Sequence, residues 1–174
     1  MLQHQNVKLR GLEFEDLALL HEWMNNFDIL RNLLRIDPSI NYLTEKWFEN
    51  INADKTKKIM AIEDVLSGKF IGCVGVNNID CIDRKAEFYI YIGDLEFRGK
   101  HFAETSAGLF VRYMFDYYNL NKIYLHVRED NLPAINLYKK MGFKQEGLLR
   151  EEKYIDGKYI DIIRMSLIKG ELNQ

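Results

Sequence analysis

The stretch AEFYIYIGDLEFRGKHFA, residues 86–103, decides how this chain is read. Its first seven residues alternate in the period-two pattern of a strand. The segment RGKHFA, residues 98–103, then opens an apolar-periodic stretch that ends near Tyr118 and predicts a helix. A strand, a short glycine-containing loop and a helix N-terminus together make an anion cradle. The first turn's unpaired N–H groups and the helix dipole both favour negative charge. Arg98 and Lys100 add positive charge at that place. Such a loop, taken alone, names no ligand.

Upstream, KKIMAIED (57–64) and KFIGCVGVNNI (69–79) read as strands joined at Ser67 and Gly68, so that with residues 86–92 they predict an antiparallel meander. Downstream, KIYLHV (122–127) has the β-branched and aromatic content of a buried strand. EDNLPAINLYKKMGF reads as a loop, a helix beginning near Pro133 and a glycine stop at Gly142. The tail is two alternating runs joined by Asp156 and Gly157, a hairpin signal. In the first third, NVKLRGL (6–12) predicts a short strand, and Leu17, Leu20, Trp23 and Met24 share one face of a helix. A loop around Pro38 and a short amphipathic helix carrying Trp47, Phe48 and Ile51 follow. This order predicts a mixed α/β (α+β) fold with a largely antiparallel sheet, not a regular βαβ alternation.

With 174 residues and 47% hydrophobic content, the chain is expected to form a single domain over residues 1–174. Its net charge of -2 gives no general attraction to nucleic acid or an anionic membrane, so any anion site has to be local. Cys73 and Cys81 are too few for a disulfide framework and are expected to be small buried hydrophobes in a reducing compartment. The polar N-terminus does not read as a signal peptide, and no apolar run reaches the roughly 18 to 20 residues that span a bilayer, so a cytoplasmic location is expected. No Cys and His spacing suggests zinc and no paired carboxylates suggest another metal, so no metal is expected.

Taken together, AEFYIYI, RGKHFA, KIYLHV and NLPAINLYKKMGF resemble the GNAT superfamily of acetyl-CoA-dependent N-acetyltransferases, over roughly residues 63–167 and most closely over 86–143. The resemblance implies a central sheet of about seven strands flanked by helices, with the fourth and fifth strands splayed at a bulge. Ile90, Tyr91 and Ile92 would then present backbone groups to the pantetheine arm. In the family, the loop pattern Gln or Arg, any, any, Gly, any, Gly or Ala binds the CoA pyrophosphate through its backbone amides. Arg98 and Ala103 fit its ends, with Gly99, Lys100, His101 and Phe102 between them, and His101 stands where the middle glycine is expected. Either its Cβ crowds the phosphates, or it lies in ordinary helical geometry with the side chain turned away or assisting the phosphate. The sequence leaves both open.

Moving an acetyl group from a thioester to an amine needs a neutral amine, an orienting site for the thioester carbonyl and a proton donor for the departing thiolate. In relatives that this chain resembles, the donor is the tyrosine of N-x-x-A-x-x-x-Y-x-x-x-G-F, matched here by Asn131, Ala134, Tyr138, Gly142 and Phe143. Tyr138 is thus the expected acid, with Asn131 and Ala134 beside the cofactor. Glu87 is the candidate general base, because its family counterpart faces the acceptor amine directly or through a water; His126 is the alternative.

Three acceptor classes compete. The C-terminal segment and RKAEFYIYI resemble spermidine N-acetyltransferases, which carry an acidic, aromatic loop in the N-terminal third. Here LRNLLRIDPSINYL holds Arg31 and Arg35 and only Asp37, and desolvating a polycation without carboxylates is unfavourable. HEWMNN and EKWFENI resemble acetyltransferases of nucleotide-linked amino sugars and of ribosomal-protein N-termini. Arg31, Arg35 and Lys46 would meet phosphates, and Trp23, Trp47 or Phe48 would stack on a base, against the plainer reading of core aromatics and solvated cations. The expectation leans to a small amine-bearing metabolite such as an amino sugar nucleotide, acetylated by direct transfer in a ternary complex. A protein N-terminus, a polyamine, or a non-catalytic CoA-binding module are the alternatives. The apolar C-terminal hairpin offers an edge for a homodimer.

Overall fold

The computed structural model describes residues 2–34, 41–51 and 53–172. Eight strands form one sheet: β1 (Leu2–His4), β2 (Val7–Arg10), β3 (Lys58–Asp64), β4 (Phe70–Asp80), β5 (Lys85–Ile92), β6 (Lys122–Arg128), β7 (Lys144–Ile155) and β8 (Lys158–Ile168). Their order across the sheet is β1-β2-β3-β4-β5-β6-β8-β7. Every neighbouring pair is antiparallel except β5 and β6. Between those two the chain crosses over through α4 (Phe102–Asp116), which is what a parallel connection requires. The other helices are α1 (Leu17–Trp23), α2 (Phe27–Asn32), α3 (Asn41–Ile51) and α5 (Leu132–Lys140).

Alternation along the strands sends apolar side chains into two layers. On one face Val74, Ala86, Phe88, Ile123 and Leu125 pack with Phe110 and Met114 of α4 and Ile135 of α5. On the other, Ala61, Phe70 and Cys73 pack with Leu17, Leu20 and Trp23 of α1 and Ile29 of α2, with Trp47 and Phe48 of α3 against them. A buried ionic knot ties the start of the α1 layer to the sheet. Arg10 of β2 donates to both Asp16 oxygens at 2.6 and 2.8 Å and to Glu63 of β3 at 2.6 Å. Lys8 binds the other Glu63 oxygen, and these cations hold that carboxyl below the usual range.

Two elements go beyond the expected set. The eighth strand, β1, is three residues long and too short to show alternation, and α2 occupies residues between the expected first helix and the loop around Pro38, to which the sequence assigned no element. Asn26 starts α2 by accepting from the N–H groups of Asp28 and Ile29 at 3.0 and 3.3 Å. Arg35 and Asp37 lie outside the described residues. Cys73 is buried as expected, and burial pushes its thiol up to about 12. Cys81 corrects the expectation: β4 ends at Asp80, so Cys81 falls in the following turn and is exposed. Among the described residues no helix is long and apolar enough to cross a membrane.

Trp23 fixes the outer end of β5. It is 5% exposed and its ring centroid lies 4.8 Å from that of Phe70 and 6.2 Å from that of Tyr91. Gly93, directly after β5, has its hydrogen where a Cβ would come within 2.1 Å of the indole. Gly93→Ala is therefore expected to displace Trp23 and to destabilise the fold by about 1–3 kcal/mol, the usual scale of overpacking. Equilibrium denaturant unfolding checks this, and an unchanged midpoint would show that the indole has room to move.

Candidate active site

The parallel pair β5 and β6 is joined by three register partners only, Lys85 with Lys122, Ala86 with Ile123 and Glu87 with Tyr124. Beyond them β5 continues to Ile92 bound to β4, and β6 continues to Arg128 bound to β8. The two strands start together and part, leaving a wedge with Glu87 and Tyr124 at its apex. Over residues 88–92 the β6-facing edge of β5 has no strand partner among the described residues, so it offers main-chain donors and acceptors to an extended ligand. Ile90, Tyr91 and Ile92 lie on this edge, as expected. The expected bulge is not on their strand. It lies on β4, where the register jumps between Asn77 and Asp80, at the level of the last β5–β6 pairs. A bulge there increases the local twist of the β4–β5 pair.

The wedge opens toward the loop before α4. Gly99 (φ 73) and His101 (φ 64) are both left-handed, and α4 begins at Phe102. His101 is thus not in helical geometry. It adopts a left-handed conformation that glycine reaches without strain, at a cost of about 1–2 kcal/mol for a residue with a Cβ. Its imidazole is turned outward: the side chain is 79% exposed, with Nδ1 3.2 Å from the Glu104 carboxylate. Lys140 of α5 holds the same carboxylate at 2.7 Å. The N–H groups of Phe102, Ala103 and Glu104 therefore have no backbone acceptor and no side-chain cap among the described residues. The Phe102 side chain packs inward on Phe97, with 5.2 Å between ring centroids, so only its backbone faces the cradle. Around Gly99 the space is open. Arg98 Nε donates to the Ile92 carbonyl at 3.0 Å, closing the end of the free β5 edge, and Lys100 lies 5.7 Å over the Phe97 ring.

On the α4–α5 side of the apex, Tyr138 is 7% exposed and meets Phe88 edge-on at 6.3 Å and Phe143 at 5.7 Å. Its hydroxyl has no hydrogen-bond partner among the described residues. Burial raises the phenol's pKa above the ordinary tyrosine value, so it carries its proton throughout the neutral range. Asn131 is the N-cap of α5: Oδ1 accepts from Ala134 N–H at 3.3 Å, and Nδ2 donates to Asn32 Oδ1 of α2 at 3.3 Å. The second of these bonds connects α5 to α2.

Glu87 points to the other face, because its neighbours Ala86 and Phe88 are buried under α4 and α5. His126 alternates in the same way between Leu125 and Val127. Its Nδ1 lies 2.7 Å from Glu87 Oε1, and Asn78 Nδ2 donates to Glu87 Oε2 at 2.9 Å. The hydrogen bond with His126, ahead of the smaller contribution from Asn78, holds the Glu87 carboxyl below the usual carboxylate range. Two residues that compete for one role in the sequence are thus one unit in the fold. Asn78 goes unnoticed in the sequence; its only signal is an Asn-Asn pair at a strand end, a residue type that tolerates left-handed backbone.

The expected base-stacking aromatics are not free to stack. Trp23 belongs to the core, and Trp47 and Phe48 lie half-buried against the same cluster. Arg31 is half-buried near Asp130, adding to the pull of Arg128 on that carboxyl. Among the described residues no three His, Cys, Asp or Glu side chains group as metal ligands.

Residues 6–144 match the family model described as acetyltransferase (GNAT) domain. The chain belongs to the GNAT family. It is an acetyl-CoA-dependent N-acetyltransferase, an acyltransferase. Spermidine N(1)-acetyltransferase of Vibrio cholerae is 36% identical over 170 residues, covering 97% of this chain and 96% of that protein. The solved structure of spermidine N-acetyltransferase from Vibrio cholerae in complex with CoA and spermine is 36% identical. It superposes with a TM-score of 0.89 over 97% of this chain and 98% of that one. A dodecameric structure of the same enzyme in an intermediate state gives 0.82 at 36% identity, over 96% of each chain. The residues present fit the GNAT co-substrate. An open glycine and a bare helix N-terminus suit its pyrophosphate, and an unpartnered strand edge suits its amide-bearing arm.

The conformation of His101 makes a distinguishing prediction. His101→Val, β-branched in a left-handed site, is expected to lose about 1–2 kcal/mol of stability. His101→Gly is expected to stay within about 0.5 kcal/mol of the parent, because relief of strain offsets the added freedom of the unfolded chain. Thermal unfolding of both variants, with acetyl-CoA titration of the glycine variant, measures this; equal stability of the two would contradict a left-handed His101.

Proposed function

We propose that this GNAT enzyme acetylates a primary amine of an aliphatic polyamine of the spermidine class, by direct transfer in a ternary complex. The observation that carries the reading is the likeness, along nearly the whole of both chains, to a spermidine N-acetyltransferase solved with spermine. This reverses the preference for an amino sugar nucleotide. That preference needed aromatics able to stack on a base, and Trp23 is core. The objection to a polycation counted carboxylates in LRNLLRIDPSINYL alone. Folding brings an acidic group from a distant segment: Glu87 lies on the same side of the sheet as α2, whereas Asp130, near Arg31, is already bound through both oxygens by Arg128.

When bound, acetyl-CoA supplies an activated acetyl thioester. The protein's part is to move two protons. An ionised carboxylate only accepts hydrogen bonds, so His126 Nδ1 carries the proton shared with Glu87, which leaves Nε2 as the ring nitrogen that faces the acceptor. His126 Nε2 takes a proton from the acceptor ammonium, with Glu87 holding the ring and stabilising the imidazolium. The amine nitrogen then forms the N–C bond as the C–S bond breaks, and the Tyr138 hydroxyl gives its proton to the departing sulfur; the acylated nitrogen sheds its surplus proton to water, from which the Tyr138 phenolate takes one back. Arg98, Gly99, Lys100, His101, Phe102 and Ala103 hold the pyrophosphate, chiefly by backbone amides. Ile90, Tyr91 and Ile92 align the arm along β5, and Asn131 with Ala134 sets the N-terminus of α5 beside it. Self-association fits the chain as well, since β7 is an outer strand that exposes Leu148 and Tyr154.

Tyr138→Phe is expected to lower kcat by roughly 10²- to 10⁴-fold with little change in the KM for acetyl-CoA. Steady-state assay of thiol release decides it, and a parental kcat would remove Tyr138 from the acid role. In the same assay, spermidine and spermine are expected to be turned over in preference to amino sugar nucleotides and N-terminal peptides. A peptide or sugar preference would overturn the polyamine reading.

A further inference from the structure

Asn78 lies outside every motif that pointed to the site, yet it touches the Glu87–His126 pair. It sits at the β4 bulge with φ 53, a left-handed conformation that turns it out of the regular strand. Its side-chain Nδ2 donates to Glu87 Oε2 at 2.9 Å, while Glu87 Oε1 takes His126 Nδ1 at 2.7 Å. The two carboxylate oxygens are therefore held by two different strands, one on either side of β5. Only one orientation of the carboxylate plane satisfies both bonds, and that orientation sets the imidazole ring in turn.

We propose that Asn78 is a positioning residue for the proton acceptor: its amide fixes the Glu87 carboxylate, which fixes the tautomer and the aim of His126. The proposal rests on the reading of Glu87 and His126 as the base. That bond is exposed, so loss of the amide leaves Oε2 to water, which does not fix the carboxylate plane, and the carboxylate is then free to rotate and to release the ring. Other charged and titratable groups surround the pair. From β6, Tyr124 reaches toward Asn78 with its hydroxyl, and burial raises its pKa. From β8, Arg164 lies 4.5 Å over the Tyr124 ring and helps to keep Glu87 ionised. Beyond it, Glu146 of β7 faces Arg164 at 3.2 Å and is bound by Lys122. Lys85 precedes Glu87 on β5 and pairs with Asp83. None of these donates a hydrogen bond to Glu87 Oε2, so no other described side chain takes the place of Asn78.

Two variants separate side chain from backbone. Asn78→Gly keeps the left-handed conformation with no strain and removes the amide; Asn78→Asp keeps the size and a tolerance for that conformation but replaces the donor by a second carboxylate. Both are expected to lower kcat by roughly 10- to 100-fold, part of what a general base contributes, with the KM for acetyl-CoA within about twofold. In Asn78→Asp the acidic limb of the kcat–pH profile is also expected to move to higher pH. The added negative charge holds a proton on the pair more tightly, and the pair must lose it to act. Asn78→Gly with parental kcat and an unmoved profile overturns the proposal, because a purely structural residue would tolerate glycine there. His126→Gln and Glu87→Gln run alongside. If they keep parental activity, the base reading itself fails. If they lose it while Asn78→Gly does not, only the role of Asn78 is lost. Thermal unfolding of each variant identifies any loss that comes from misfolding, and in that case Asn78→Ser, short and without an amide, takes the place of Asn78→Gly with the same two outcomes.

Discussion

The site depends on one unfinished ladder, the parallel pairing of β5 with β6 that stops at Glu87 and Tyr124. Continuing it would add hydrogen bonds worth about 0.5–1.5 kcal/mol each, so something has to hold the strands apart. Each is committed elsewhere. β6 is paired to β8 along seven residues, and β5 is paired to β4 as far as Ile92. The far end of β5 is also clamped by Trp23 against Gly93, and the bulge in β4 sets its twist. Closing the gap would mean giving up buried aromatic packing, which contributes more than a few exposed ladder bonds.

Because the gap passes through the sheet, Tyr138 and the Glu87–His126 pair sit on opposite faces. Tyr138 is reached from the α4–α5 side, where Phe88, Phe110 and Phe143 keep its surroundings apolar. Glu87 and His126 are reached from the side of α1 to α3, among Tyr124, Asn78 and Arg164, where charge is accommodated. A buried phenol and a hydrogen-bonded carboxylate–imidazole pair thus have separate environments, although Phe88, which packs on Tyr138, is the residue next to Glu87 on β5.

Local pattern carried much of this. The alternation of AEFYIYI and the order of the later strands gave the sheet, and Asn131, Ala134, Tyr138 and Gly142 were legible because they occupy one helix and its two ends. The pair Glu87 and His126 was visible only as two separate candidates, since 39 residues of chain lie between them. His101 misled for a different reason: its chemistry differs from glycine while its backbone does not, and a sequence displays side chains, not dihedral angles. Contacts across the fold were hardest to read: Asp130, about a hundred positions further along the chain than Arg31 of α2, comes within its electrostatic reach only through folding. Cys81 and Asn78 share a cause as well, because the end of β4 is irregular and the alternating pattern runs past the point where the ladder breaks.

The clamp on β5 has a thermodynamic consequence. A flexible edge that ordered only around its ligand would lose conformational entropy at the moment of binding, at roughly 1–2 kcal/mol for each residue fixed. Here the fold has already immobilised that edge: Trp23 packs against its end, and Arg98 occupies its last carbonyl with a bond that can be exchanged for one to the ligand. The entropy was lost when the chain folded, so the affinity of the free edge for an extended partner is not reduced by the need to shape it.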